Sequence, residues 1–137
     1  MAEGLARRWA LQHNYLNWEF ASAGTLNIEG APASENAVIA CDEVGVDISA
    51  HRSQGLTVEL LEAYDYIFGM GNAHVNIGRK LAPAASGKIF LLGAFGLGAS
   101  EEEIPDPVGM ELVFFREVRD LIMAHLNRVL PYIADES

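Results

Sequence analysis

No run of apolar residues in the 137-residue chain approaches the roughly 20 needed to cross a bilayer, and the start has no charged-then-apolar leader pattern. That pattern predicts a cytoplasmic protein with no membrane partner. Cysteine is almost absent: Cys41 stands alone, which excludes an internal disulfide. Four dispersed histidines, His13, His51, His74 and His125, offer no zinc spacing, so no metal and no cofactor are expected. Positive charge is scarce as well. Nine Lys and Arg face nineteen Asp and Glu, and a formal charge of -10 repels the phosphate backbone of nucleic acids. No repeat, linker or low-complexity stretch divides the chain, and its length suits one globular domain over residues 1–137.

What is present is periodic. Ala2, Leu5, Ala6, Trp9 and Ala10 share one helical face, which predicts a helix from residue 2 to about 12, ended by His13 and Asn14. "WEFASAGT" alternates as a strand does. "PASENAVIACDEVG" reads as a helix capped by Ser34 and stopped before Gly45, with Ala37, Cys41 and Val44 turned inward. Thr57 caps a short helix, "VELLEAY", which leads into a buried strand, "DYIFGM". A helix near 73–81 and a second buried strand, "KIFLLGAF", follow, and Gly93 to Glu103 is read as a loop.

The final helix, Glu111 to Leu130, carries Leu112, Phe115, Val118, Ile122, Leu126 and Val129 in steps of three and four. Arg116, Glu117, Arg119 and Asp120 are assigned to its wet side. Strands separated by helices, with apolar strands covered on both faces, predict an α/β fold: three layers around a central parallel sheet.

Two glycine-rich stretches invite a nucleotide-loop reading and fail it. "GMGNAH" lacks a third glycine, and "GAFGLGAS" runs into Glu101, Glu102 and Glu103, which repel phosphate. Arg7 and Arg8 form no patch large enough for nucleic acid. Cys41, on the inner face of its helix, is read as a small core residue.

Four stretches in order, "MAEGLAR", "SAGT", "DISAHRSQGLT" with "YDYIFGM", and "KIFLLGAF" followed by "IPDPVG", resemble the low-molecular-weight protein tyrosine phosphatase family. The likeness is to its bacterial branch, which includes protein arginine phosphatases. It implies the phosphotyrosine protein phosphatase I-like fold and hydrolysis of phosphorylated protein substrates through a cysteinyl-phosphate. In that family a strand and a loop of the form Cys-x-x-Asn-x-x-Arg-Ser-Pro come before Met-Ala-Glu, whereas this sequence starts at the Met.

The resemblance therefore implies a chain without its first central strand, nucleophile or phosphate-gripping arginine, inactive as given. Thiolate phosphoryl chemistry needs a lowered pKa at a helix N-terminus and donors around the equatorial oxygens. By the same resemblance Asp106 is the general acid, and Ser22 and His51 support the absent loop. Read from the residues alone, Asp106 before Pro107 is turn chemistry, and Ser22 and His51 are local caps. The chain departs from the family at Ala21, Gly71, Val108 and Gly109, where acidic, Thr or aromatic residues are common. Loss of the aromatic wall, with the "PASENAV" and "HRS" texture, leans towards the arginine-phosphatase branch.

An open slot between "WEFASA" and "DYIFGM" is the further expectation. Four apolar side chains missing there amount to ~6 to 12 kcal/mol at about 1.5 to 3 each. Exposed strand edges seek pairing, so a homo-oligomer or a strand-donating partner is expected. The alternative function is a non-enzymatic interaction module that binds through that slot. A weaker third idea pairs Asp106 with His51 as acid and base, for which the sequence supplies no nucleophile.

Overall fold

The computed structural model describes residues 1–96, 98 and 100–136. Leu97 and Ala99, inside the stretch read as a loop, lie outside the described residues, as does Ser137. In chain order the elements are α1 (Ala2–Gln12), α2 (Glu35–Asp42), α3 (Val58–Ala63), β1 (Ile67–Gly69), α4 (Asn72–Leu81), a 3-10 helix (Pro83–Lys88), β2 (Ile89–Leu91) and α5 (Leu112–Glu136). No helix among the described residues is long and apolar enough to cross a membrane.

Local chemistry sets most boundaries where the sequence places them. Ser34 Oγ accepts the Ala37 amide at the start of α2, and Thr57 Oγ1 accepts the Leu60 amide at the start of α3. Gly45, just beyond α2, adopts φ of +79°, a conformation that glycine reaches without steric cost. Helix α5 runs six residues past the expected end at Leu130, through Pro131. Pro131 has no amide to offer the Asn127 carbonyl, and both residues are exposed.

Strands β1 and β2 pair in parallel, with Ile67, Phe68 and Gly69 opposite Ile89, Phe90 and Leu91. Successive side chains point to opposite faces and meet two separate cores. On one face Leu92 and Phe68 join a core of α1, α2 and α5 that contains Leu5, Trp9, Cys41, Ile122 and Val129. On the other, Ile67, Ile89 and Leu91 meet Leu61 of α3 and Val75 of α4. This is the expected three-layer α/β arrangement.

Two expectations are corrected. The "WEFASAGT" stretch is not a strand of the sheet: residues 18–23 have no ladder, and only Gly24 forms a single parallel bridge, to Gly55. Its side chains still alternate, with Trp18 and Phe20 half-buried and Glu19 and Ala21 exposed. Amphipathic alternation sets the pleat, but a strand also needs a neighbour for its amides. Arg119 leaves the wet side of α5. With 11% of its side chain exposed, it donates to Ala40 O at 2.9 Å and pairs with Glu43 at 2.8 Å, tying α5 to the end of α2.

Candidate active site

The first turn of α1 gathers the polar groups nearest the expected site. Ser22 Oγ donates to Glu3 Oε1 at 2.8 Å, and Arg7 donates to Glu3 Oε2 at 2.9 Å and to Phe20 O at 3.0 Å. Gln54 Nε2 holds Ser22 O at 3.0 Å. Burial pushes the Glu3 carboxyl up, but the Ser22 hydroxyl, the Arg7 guanidinium and the nearby His51 together hold it below its ordinary value. Ser22 and Arg7 thus converge on one carboxylate beside the positive end of a helix, with His51 near enough to act on its charge. The i,i+4 spacing of Glu3 and Arg7 is the sequence signal that identifies this ion pair.

Asp106 stands on an exposed strap between β2 and α5. Its Oδ1 accepts the Val108 amide at 3.0 Å, and the Met110 amide donates to Pro107 O at 2.9 Å. Gly109, third in that turn, has φ of +80°, as a type II turn requires. Asn36 Nδ2 reaches Met110 O at 3.4 Å, bringing the start of α2 to the same loop. Among the described residues no bond joins Asp106 to Ser22, Glu3 or His51, so the acid and base pairing of Asp106 with His51 is not formed.

Cys41 is fully buried, and desolvation raises its thiol above the ordinary value against the pull of the Met1 amino group and Arg119. A nucleophilic thiol needs the opposite shift. Six residues beyond Cys41 stands Asp47, where a Cys-x5-Arg loop has arginine. Cys41 is a core residue, as the helical pattern indicates.

The "GMGNAH" turn holds an anion of the chain's own. Glu103 Oε1 accepts the Asn72 amide at 2.7 Å, at the N-terminus of α4. The same carboxylate oxygen lies 3.1 Å from the position a Cβ would take at Gly71. An acidic run that discourages phosphate in the sequence therefore occupies a helix N-terminus in the fold. Arg8 is likewise not a free surface cation, because it donates to Val44 O at 2.6 Å. Among the described residues no three His, Cys, Asp or Glu side chains converge as metal ligands do.

Comparison with known proteins gives the arrangement a lineage. Residues 1–137 match the family described as low molecular weight phosphotyrosine protein phosphatase. The chain is 33% identical over 112 residues, 82% of its length and 74% of the relative's, to the probable low molecular weight protein-tyrosine-phosphatase EpsP of Ralstonia nicotianae. It is 30% identical over 118 residues, 86% of its length and 78% of the relative's, to the protein-arginine-phosphatase of Geobacillus stearothermophilus. Among solved structures, the YwlE arginine phosphatase of that organism superposes with a TM-score of 0.88 at 26% identity, covering 98% of this chain and 84% of the other. Vibrio vulnificus Wzb in complex with benzylphosphonate gives 0.81 at 29% identity, covering 92% and 84%.

Proposed function

Because the chain belongs to the low molecular weight phosphotyrosine protein phosphatase family, we propose that it is the scaffold of a protein phosphatase acting on phosphotyrosine or phosphoarginine. Asp106 serves as the general acid, and Ser22 and His51 support the phosphate-binding loop. We further infer that these 137 residues do not hydrolyse phosphate esters by themselves. The observation that carries this is Cys41: the only thiol is buried, its pKa is raised, and no arginine stands at the spacing that would grip a phosphoryl group. Phosphoarginine is favoured over phosphotyrosine by Val108 and Gly109, which offer no aromatic wall beside Asp106. The likeness to a protein-arginine-phosphatase supports the same choice.

An aryl phosphate assay tests both parts. The chain alone gives no vanadate-sensitive turnover, and turnover at ordinary phosphatase rates overturns the claim of inactivity. A peptide of one apolar strand followed by Cys-x-x-Asn-x-x-Arg-Ser-Pro, added in trans, restores turnover that Asp106→Asn lowers by about 10²- to 10⁴-fold. If Asp106→Asn leaves the restored rate unchanged, Asp106 is not the acid.

A second reading, an interaction module that takes up a strand from a partner or a second copy, is favoured by the burial of the two strands. All three residues of β1 are half-buried, whereas Ile89 and Leu91 of β2 are buried. The strand expected to border the open slot is thus the more exposed one, and residues 18–23 run without a ladder. Light scattering tests the second-copy form of this reading, since a well-folded monomer at micromolar concentration rules out self-pairing.

A further inference from the structure

His125, 6% exposed, is the only buried polar side chain among the described residues. It stands on the inner face of α5, remote in sequence from Asp106, and both of its ring nitrogens are engaged. Arg128 NH2 lies 3.0 Å from Nδ1, and Glu102 Oε1 lies 2.7 Å from Nε2. A guanidinium has only donors, so Nδ1 accepts, and Nε2 carries the proton that it donates to Glu102. The three side chains form a directional chain from Arg128 through His125 to Glu102.

Both ends of that chain hold the backbone that leads to Asp106. Arg128 also donates to Leu92 O at 3.0 Å, to Gly93 O at 3.3 Å and to Phe95 O. Gly93 O in turn receives the amides of Ser100 at 3.0 Å and Glu101 at 3.2 Å. Gly93 pairs with Glu102 in an antiparallel bridge so close that a Cβ on Gly93 would collide with Glu102 O. Beyond Glu102, the Glu103 carboxylate caps α4 and the Ile104 amide donates to Met70 O at 2.8 Å. Pro105 and Asp106 come next. The backbone entering Asp106 is therefore held at Glu102, Glu103 and Ile104, and only at Glu102 is the hold made by a buried side chain of α5.

We propose that His125 is a positioning residue, locked by Arg128 as its Nε2-protonated tautomer, that draws Glu102 onto α5 and thereby fixes residues 100–106 and the Asp106 carboxylate. The proposal rests on the reading of Asp106 as the general acid for its consequence in catalysis. The lock itself is a property of the folded chain.

Nitrogen-15 spectra of the full chain test it at about pH 8.5, two units above the ordinary histidine range. His125 is expected as the Nε2-protonated tautomer, and the Nδ1-protonated form overturns the lock. His125→Leu is expected to speed exchange of the Ser100, Glu101 and Ile104 amides by ~10-fold or more and to shift the Val108 amide that reports on Asp106. Amides of α1 and α2 keep their protection. His125→Gln, which keeps a donor near Glu102, restores most of the lost protection. If His125→Leu leaves both the exchange and the Val108 shift at wild-type values, the proposal fails. Where that variant loses the whole fold, Glu102→Ala takes its place with the same expected changes. None of these measurements involves turnover, so they fail separately from the Asp106→Asn assay that tests the acid itself.

Discussion

Helices α1, α2 and α5 and the stretch from Trp18 to Gly24 flank the same core, yet they differ in how completely they are formed. The helices follow their apolar stripes: Leu5, Ala6, Trp9 and Ala10 on α1 and Phe115, Val118, Ile122, Leu126 and Val129 on α5 are all buried. The other stretch carries an equally clear alternation, and Trp18 and Phe20 do pack on the core. It makes no ladder, however. A helix satisfies its amides from within, so an apolar stripe and a cap suffice. A strand satisfies them only across a gap of about 4.8 Å, and no side-chain pattern supplies the neighbour.

The largest test of that contrast lies in the two packing environments. Ile122→Ala, in the helical core, is expected to cost about 2 to 4 kcal/mol, whereas Phe20→Ala, though it removes more atoms, costs about 1 kcal/mol or less because its ring is only half-buried. Denaturant titration of both variants measures this, and equal costs would remove the distinction. Supplying a neighbour should sharpen it: a peptide strand present at about a hundredfold over its Kd raises stability by about 2.7 kcal/mol. The cost of Phe20→Ala should then grow towards that of a core residue. If neither midpoint nor cost moves, residues 18–24 are not an open sheet position.

Smaller effects belong to the helices alone. Ser34→Ala removes the bond to the Ala37 amide and is expected to cost about 1 kcal/mol, read from the thermal midpoint. The least effect is at Glu3. Its carboxyl sits below the ordinary value in the folded chain, so the stability it contributes is present above the unfolded carboxylate range and is lost as pH falls through its folded value. Glu3→Gln should flatten that acid limb by about 0.3 to 0.5 kcal/mol, the scale of an i,i+4 pair. An unchanged acid limb would mean that the Ser22 and Arg7 contacts do not hold it down.

Legibility along the chain follows the range of each interaction. Ser34, Thr57 and Gly45 could be read because a cap or a left-handed turn involves residues three or four apart. Cys41 could be read as core because its helix face declares it. Arg119 could not, since its partners Ala40 and Glu43 lie on and just beyond another helix. His125 was equally hidden: in sequence it is one polar residue on a long amphipathic helix, and its meaning comes from Glu102 and Arg128. Of the site residues, Ser22 bonds Glu3 and His51 acts on the same carboxylate through its charge, whereas Asp106 bonds within its own turn.

The amino-acid order by itself determined the apolar stripes of the α-helices, the Ser34 and Thr57 caps, the two apolar strands and, with one cysteine, the exclusion of an internal disulfide, because each depends on composition or on contacts within a few residues. The tertiary structure alone decided that residues 18–23 stay unladdered, that Glu103 fills the N-terminus of α4, and that His125 joins α5 to the strap bearing Asp106. Those outcomes depend on hydrogen bonds between segments far apart in the chain, and such bonds form only where folding brings donor and acceptor within about 3 Å.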